Sequence, residues 1–201
     1  MTAKEVADSA ELRRRIRRLL SALRSIALDM QVRARGSHDS ARHFAGRVNA
    51  LGRAAMAPIA FGLDLESLVL DELLVHSIHH GGLAVSGPPV RLNAKSADVM
   101  SLAIHELATN SIKFGALSQP RTSLRVVWWF TGLSGARLHF EWAESGVRMA
   151  PSRRIRPGFG SQVVRRLIAR ELRGEGNMLF LSRGILCTIE FPAGEALLQN
   201  D

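Results

Sequence analysis

From Glu11 onward the apolar residues Leu12, Ile16, Leu19, Leu23, Ile26 and Met30 recur at alternating steps of four and three. That spacing is a coiled-coil seam rather than a generic amphipathic stripe. Gly36 ends the run, and the serines of residues 37–40 can cap a second helix. In that helix Phe44, Val48, Leu51, Ala55 and Ile59 repeat almost the same spacing, until Pro58 and Gly62 interrupt it. Two such helices joined by a short loop predict an antiparallel hairpin. A hairpin alone buries little, so two copies are expected to pair as a dimeric four-helix bundle. The competing arrangement packs the hairpin against the C-terminal part of its own chain.

Beyond Gly62 the periods shorten and mix. Leu63, Asp64 and Leu65 read as a short strand, and residues 66–78 as a helix with Leu68, Leu73 and Val75 available to a core. Residues 83–85 and 90–92 are strand candidates on either side of Gly87-Pro88-Pro89. Residues 98–113 form an amphipathic helix that turns Met100, Ile104, Leu107 and Ala108 to the core. Residues 124–130 and 137–143 then pair about Leu133-Ser134-Gly135, with Leu138, Phe140 and Trp142 on one face. A second pair, residues 177–182 and 185–191, turns at Arg183-Gly184. Between the pairs lie a loop rich in Pro and Arg, then Gly158-Phe159-Gly160, then a helix over residues 161–172 with Val164, Leu167 and Ile168 inward. The fold class is α+β: the hairpin of residues 1–61, followed over residues 62–201 by an α/β sandwich with helices on one face of a mixed, largely antiparallel sheet.

Composition narrows this little. A chain of 201 residues, 46% hydrophobic, is long enough for a hairpin and one compact domain. The net charge of +9 concentrates in residues 13–18 and 153–156. No aromatic side chains are interleaved with either cluster, which argues against nucleic acid and leaves an acidic protein partner or nucleotide phosphates. The single Cys187 excludes an internal disulfide, and its alternating surroundings predict a buried, inert thiol. His76, His79 and His80 lack the companions of a metal site. The polar N-terminus and the absence of a membrane-length apolar run predict a cytoplasmic protein with no membrane segment.

The chemistry lies in the helix of residues 98–113. Glu106, Asn110 and Lys113 stand at i, i+4 and i+7 on one face, flanked by His105 and Thr109. A carboxylate, a carboxamide and an ammonium in that order suit magnesium and phosphate; a solvated helix face accounts equally well for the spacing alone.

The stretch His105-Glu106-Leu107-Ala108-Thr109-Asn110, followed by Lys113-Phe114-Gly115-Ala116-Leu117-Ser118, resembles the N-box of sensor histidine kinases, and the HWE family in particular. That family is named for a His in this box and a later Trp-x-Glu, here Trp142 and Glu144. Gly158-Phe159-Gly160-Ser161 matches its second glycine box, and the resemblance runs from about residue 11 to 192. It implies the Bergerat nucleotide-binding fold with ATP and Mg2+ as cofactors. By resemblance Asn110 ligates magnesium, Lys113 steadies phosphate, and Glu106 orients the acceptor or acts as its base, supported by His105. Glu144 receives the adenine amino group beside the turn at Gly146, and Gly158 and Gly160 offer backbone N–H groups to phosphate. Trp142 belongs to the family signature, although its alternation with Leu138 and Phe140 is that of a core side chain.

Two departures stand out. Val147 and Arg148 occupy positions where the family carries a further Gly and Pro. Where it reads Glu-Leu-Asn-His-Arg-Val-Lys-Asn, this chain reads Glu11-Leu12-Arg13-Arg14-Arg15-Ile16-Arg17-Arg18, so the phosphoacceptor His is Arg14. A guanidinium stays protonated and cannot replace a neutral imidazole nitrogen as nucleophile. The resemblance therefore implies a homodimeric two-component protein that binds Mg-ATP, meets a response-regulator receiver domain or a partner kinase, and lacks the usual autophosphorylation. The alternatives are a kinase acting on a histidine in trans or at a displaced position, and a scaffold that binds a response regulator without nucleotide.

Overall fold

The computed structural model describes residues 16, 45–52, 62–74, 82–133, 136–148, 163–194 and 196–197. Arg14, most of the first seam, the histidines at 76, 79 and 80, and Gly158 and Gly160 lie outside them. Ile16 is helical and exposed.

The first described element is a helix over residues 45–52 (α1). Leu63–Asp64 (β1) leads into Leu65–Leu74 (α2), and the strand-to-helix step falls one residue earlier than the hydrophobic pattern predicts. Asp64 causes it: its carboxylate accepts from the Ser67 N–H and hydroxyl, both at 2.9 Å, and caps the helix. Gly82–Ser86 (β2) and Arg91–Leu92 (β3) precede the long helix Ala94–Phe114 (α3). Asn93 starts α3 four residues before the amphipathic pattern becomes visible, by accepting from the N–H groups of Lys95 and Ser96 at 3.1 and 3.0 Å. A 3₁₀ turn, Ala116–Ser118, follows directly.

Ser123–Thr131 (β4) and Arg137–Ser145 (β5) form the predicted hairpin. A π-helical turn, Val163–Leu167, runs into Ile168–Leu172 (α4), then Glu175–Leu181 (β6) and Gly184–Pro192 (β7). The sheet order is β2-β4-β5-β7-β6, in which β2 and β4 are parallel and every other pair antiparallel. β1 and β3 pair separately.

The core lies between the inner face of the sheet and the helices. Leu124, Val126, Trp128, Leu138, Phe140, Cys187, Ile189 and Phe191 meet Leu65, Val69, Leu73, Met100, Ile104, Val164 and Ile168, all buried. Burial pushes the Cys187 thiol up to about 12, the inert state its alternation predicts. The outer face is polar and paired: Arg125 donates to Glu141, Arg137 to Glu190, and Trp129 stacks on His139. α1 packs on α3 through Arg47 and joins the core through Leu51. Leu51, assigned by its spacing to a seam between chains, is buried within one chain and belongs to this core.

Candidate functional site

The polar groups of α3 fall into two centres. At His105 and Glu106 the face that spacing marks as polar is covered by α1. Arg47 donates from Nε to Glu106 Oε1 at 2.6 Å and from Nη2 to Oε2 at 3.3 Å. Only 7% of Arg47 and 4% of Glu106 are exposed. A planar guanidinium matches a carboxylate across both oxygens, so the pair fixes the Glu106 side chain in orientation as well as charge. Removing one partner of such a buried pair costs roughly 3–5 kcal/mol, because the other charge is left uncompensated.

The neighbouring His105 lies between α2 and α1. Its Nδ1 lies 2.5 Å from Oε1 of Glu72 on α2, and both side chains are buried. Glu72 thus holds the Nδ1 edge of the ring, and the Nε2 edge is directed elsewhere. It meets α1 at Gly46, where an added Cβ would stand 2.7 Å from Nε2 and 2.8 Å from Cε1. Glycine at this helical position is a steric requirement, and Gly46 and Arg47 together fit α1 onto His105 and Glu106.

Asn110 and Lys113, one and two turns further on, are half-buried. Beyond them the chain is tightly tied: the Gly115 N–H bonds to the Ser111 carbonyl at 2.8 Å, and the Thr122 hydroxyl donates at 2.6 Å to that of Ala116.

The second centre is at this end of α3. Glu144 lies on the inner face of β5, only 4% exposed. Its Oε2 accepts the Ala116 N–H at 2.8 Å and its Oε1 accepts the indole N–H of Trp142 at 2.9 Å. Trp142 is fully buried, and its alternation with Leu138 and Phe140 continues to Glu144. Residues i and i+2 share a strand face, so Trp142 and Glu144 sit side by side and the carboxylate staples β5 to the end of α3. The following turn holds Gly146 at φ +78°, with the Arg121 carbonyl 2.9 Å from where a Cβ would stand. Val147, in place of the family's second glycine, is buried and donates its N–H to the Arg183 carbonyl at 3.0 Å.

Arg47 and Glu72 are the residues that sequence reasoning passed over. Both had a readable signal. Glu72 stands four residues after Leu68 and three after Val69, on the inward stripe of α2. Arg47 stands four residues before the buried Leu51. A charge on a buried stripe requires a partner, but the partner's identity depends on how the helices pack.

No family model matches the chain. The blue-light-activated histidine kinase of Brucella abortus is 28% identical over 191 residues, covering 92% of this chain and 38% of the relative. That of Rhizobium johnstonii is also 28% identical, covering 83% of this chain and 49% of the relative. The chain thus spans less than half the length of these curated relatives. The solved histidine kinase domain of the Erythrobacter litoralis blue-light activated histidine kinase superposes with a TM-score of 0.61 at 17% identity, covering 94% of this chain and 95% of that domain. This chain has the fold of a histidine kinase domain. The larger structure of the same Erythrobacter protein gives a TM-score of 0.68 at 18% identity, covering 92% of this chain and 60% of that one. Among the described residues no helix is long and apolar enough to cross a membrane.

Proposed function

We propose that the chain is the signalling core of an HWE-type histidine kinase-like protein that binds Mg-ATP and does not phosphorylate itself at the usual helix position. The division of labour is a dimerising hairpin over residues 1–61 and a nucleotide-binding unit over residues 62–201. The observation that carries the nucleotide reading is the placement of Asn110 and Lys113, half-buried on one face of α3, between the fixed carboxylates Glu106 and Glu144. A carboxamide oxygen and an ammonium are donors that fit a hydrated magnesium ion and phosphate oxygens. In this reading Asn110 holds the metal, Lys113 the phosphates, Glu144 the adenine edge beside Gly146, and the backbone at Gly158 and Gly160 the phosphate tail. Bound ATP supplies a phosphoryl group. The chain's own groups position it, and Glu106 with His105 meets the acceptor. Arg14 stands where that acceptor belongs in the family, so the acceptor is a histidine of another chain or at a displaced position, or a receiver domain docks without transfer.

Titration calorimetry with ATP and magnesium tests this. Saturable binding is expected, weakened at least tenfold in Asn110→Ala and in the absence of metal; no binding at millimolar ATP overturns the nucleotide reading. With labelled ATP the wild type is expected to form no acid-labile phosphohistidine near Arg14. Strong labelling mapped to another histidine would establish a working kinase with a displaced acceptor.

A second reading, a response-regulator scaffold independent of nucleotide, is favoured by one observation. Both oxygens of Glu144 and both oxygens of Glu106 are already engaged by groups of the chain itself. Calorimetry separates the two readings.

A further inference from the structure

We propose that the open edge of β6 pairs two copies of this chain, antiparallel about a two-fold axis at Leu179, and joins their sheets into one. The contact is independent of the nucleotide reading and lies away from the hairpin.

β6 ends the sheet, and among the described residues only β7 pairs with it. An unpaired edge offers its N–H and C=O groups to another strand unless charge, proline or a bulge blunts it. The other edge, β2, runs into Gly87-Pro88-Pro89. β6 carries little such protection: Glu175 at its start is its only charge, it holds no proline, and its register with β7 is unbroken. Its last three residues, Leu179, Phe180 and Leu181, are exposed, Leu179 by 56%. Large apolar side chains beside open backbone groups mark a surface that gains from being covered.

Phase and charge select a second copy as the occupant. The Ala193 N–H donates to the Ala136 carbonyl at 2.9 Å, so odd-numbered residues of β7 bond to β5 and even-numbered ones to β6. On β6 this turns the backbone groups of Gly176, Met178 and Phe180 to the open edge. A second copy must set these residues against one another, which leaves only registers two residues apart. Charge chooses among them. Glu175 stands directly opposite Glu190 of β7, a like-charge pair, and the turn at the far end of β6 carries the exposed Arg183. Neither Glu175 nor Arg183 is in an ion pair among the described residues. With the axis at Leu179, each Glu175 meets the Arg183 turn of the other copy, Met178 lies opposite Phe180, and Leu179 lies opposite itself. The edge is thus its own complement, as a two-fold contact demands. Two strands of seven residues bury less than the roughly 1,200 Å² of a standard interface, so this contact is weaker than the proposed hairpin dimer and links such dimers at high concentration.

Leu179→Cys in the full chain reads the axis directly. Residues facing each other in a non-hydrogen-bonded pair stand about 4.5 Å apart at Cα, within disulfide range. In concentrated protein under mild oxidation, Leu179→Cys is expected to form a cross-linked dimer, while the buried Cys187 stays unreacted. Asn177→Cys, also exposed on β6, faces Leu181 of the other copy in this register and should cross-link at least tenfold more slowly. Added to Leu179→Cys, Glu175→Arg and Arg183→Glu should each slow the reaction at least fivefold, and the two together should restore it. The cross-link should persist in Leu19→Asp with Leu23→Asp, which separates it from the hairpin. Equal rates at positions 177 and 179 overturn the register, as do charge reversals without effect or without mutual rescue. Loss of the cross-link in Leu19→Asp with Leu23→Asp overturns an edge contact that stands on its own. No cross-link at position 179 overturns the proposal and leaves the edge to a strand of another protein.

Discussion

At Glu144 the side chain that anchors adenine in the proposed reading is also a structural staple. Its two oxygens take an indole N–H from its own strand and a backbone N–H from the end of α3. This gives the Trp-x-Glu spacing a physical meaning: two residues apart on one strand face, a buried donor meets a buried acceptor. Trp128 offers a comparison, since its indole N–H donates at 2.7 Å to the neutral carbonyl of Pro88. Hydrogen bonds to charged groups contribute roughly 1.5–3 kcal/mol, against roughly 1 kcal/mol for neutral pairs. Trp142→Phe is therefore expected to lower unfolding stability by about 2 kcal/mol or more, and by a larger amount than Trp128→Phe. Urea midpoints of the two variants measure the difference, and equal losses would remove the staple from the account.

Among the elements, α3 organises the molecule because both of its ends are fixed by specific hydrogen bonds. At the start, Asn93 caps two N–H groups, and Ser96 adds a hydroxyl bond to the Ala196 carbonyl, which ties the C-terminal segment to the helix. Asn93→Ala should cost about 1 kcal/mol by loss of the cap, read as a lower thermal midpoint with the nucleotide affinity unchanged. A fall in affinity as large as that of Asn110→Ala would mean that the cap sets the site rather than the helix end. The start of this helix was obscured in the sequence because residues 94–97 contribute little apolar periodicity. The signal was the single Asn, whose effect depends on local backbone geometry.

For the whole molecule, the proposed hairpin would have two surfaces to satisfy. α1 buries Arg47, Ala50 and Leu51 within its own chain, while Val48 on the predicted seam remains half-buried and Ile16 is exposed. A dimer through the remaining seam is expected to scatter light as twice the 22.0 kDa chain mass. Leu19→Asp with Leu23→Asp should abolish it by placing charge in an apolar interface. A wild-type monomer at high concentration would assign the whole seam to intramolecular packing.

Much of the fold was legible along the chain. Period-two runs at residues 124–130, 137–143 and 185–191 specify strands because their inward positions are apolar, and burial of those positions leaves one register per strand. The order of polar groups Glu106, Asn110 and Lys113 was likewise set locally, since 3.6 residues per turn place them on one face wherever the helix sits. What faces them was not. That Arg47, 59 residues away, meets Glu106, that Glu72 holds His105, and that Glu144 closes the end of α3 are consequences of packing between distant segments. A sequence states that a buried charge must be compensated, because desolvation makes an uncompensated one untenable. Only the tertiary structure selects the compensating group, because the choice depends on distances of a few ångströms between helices whose relative placement no local period encodes.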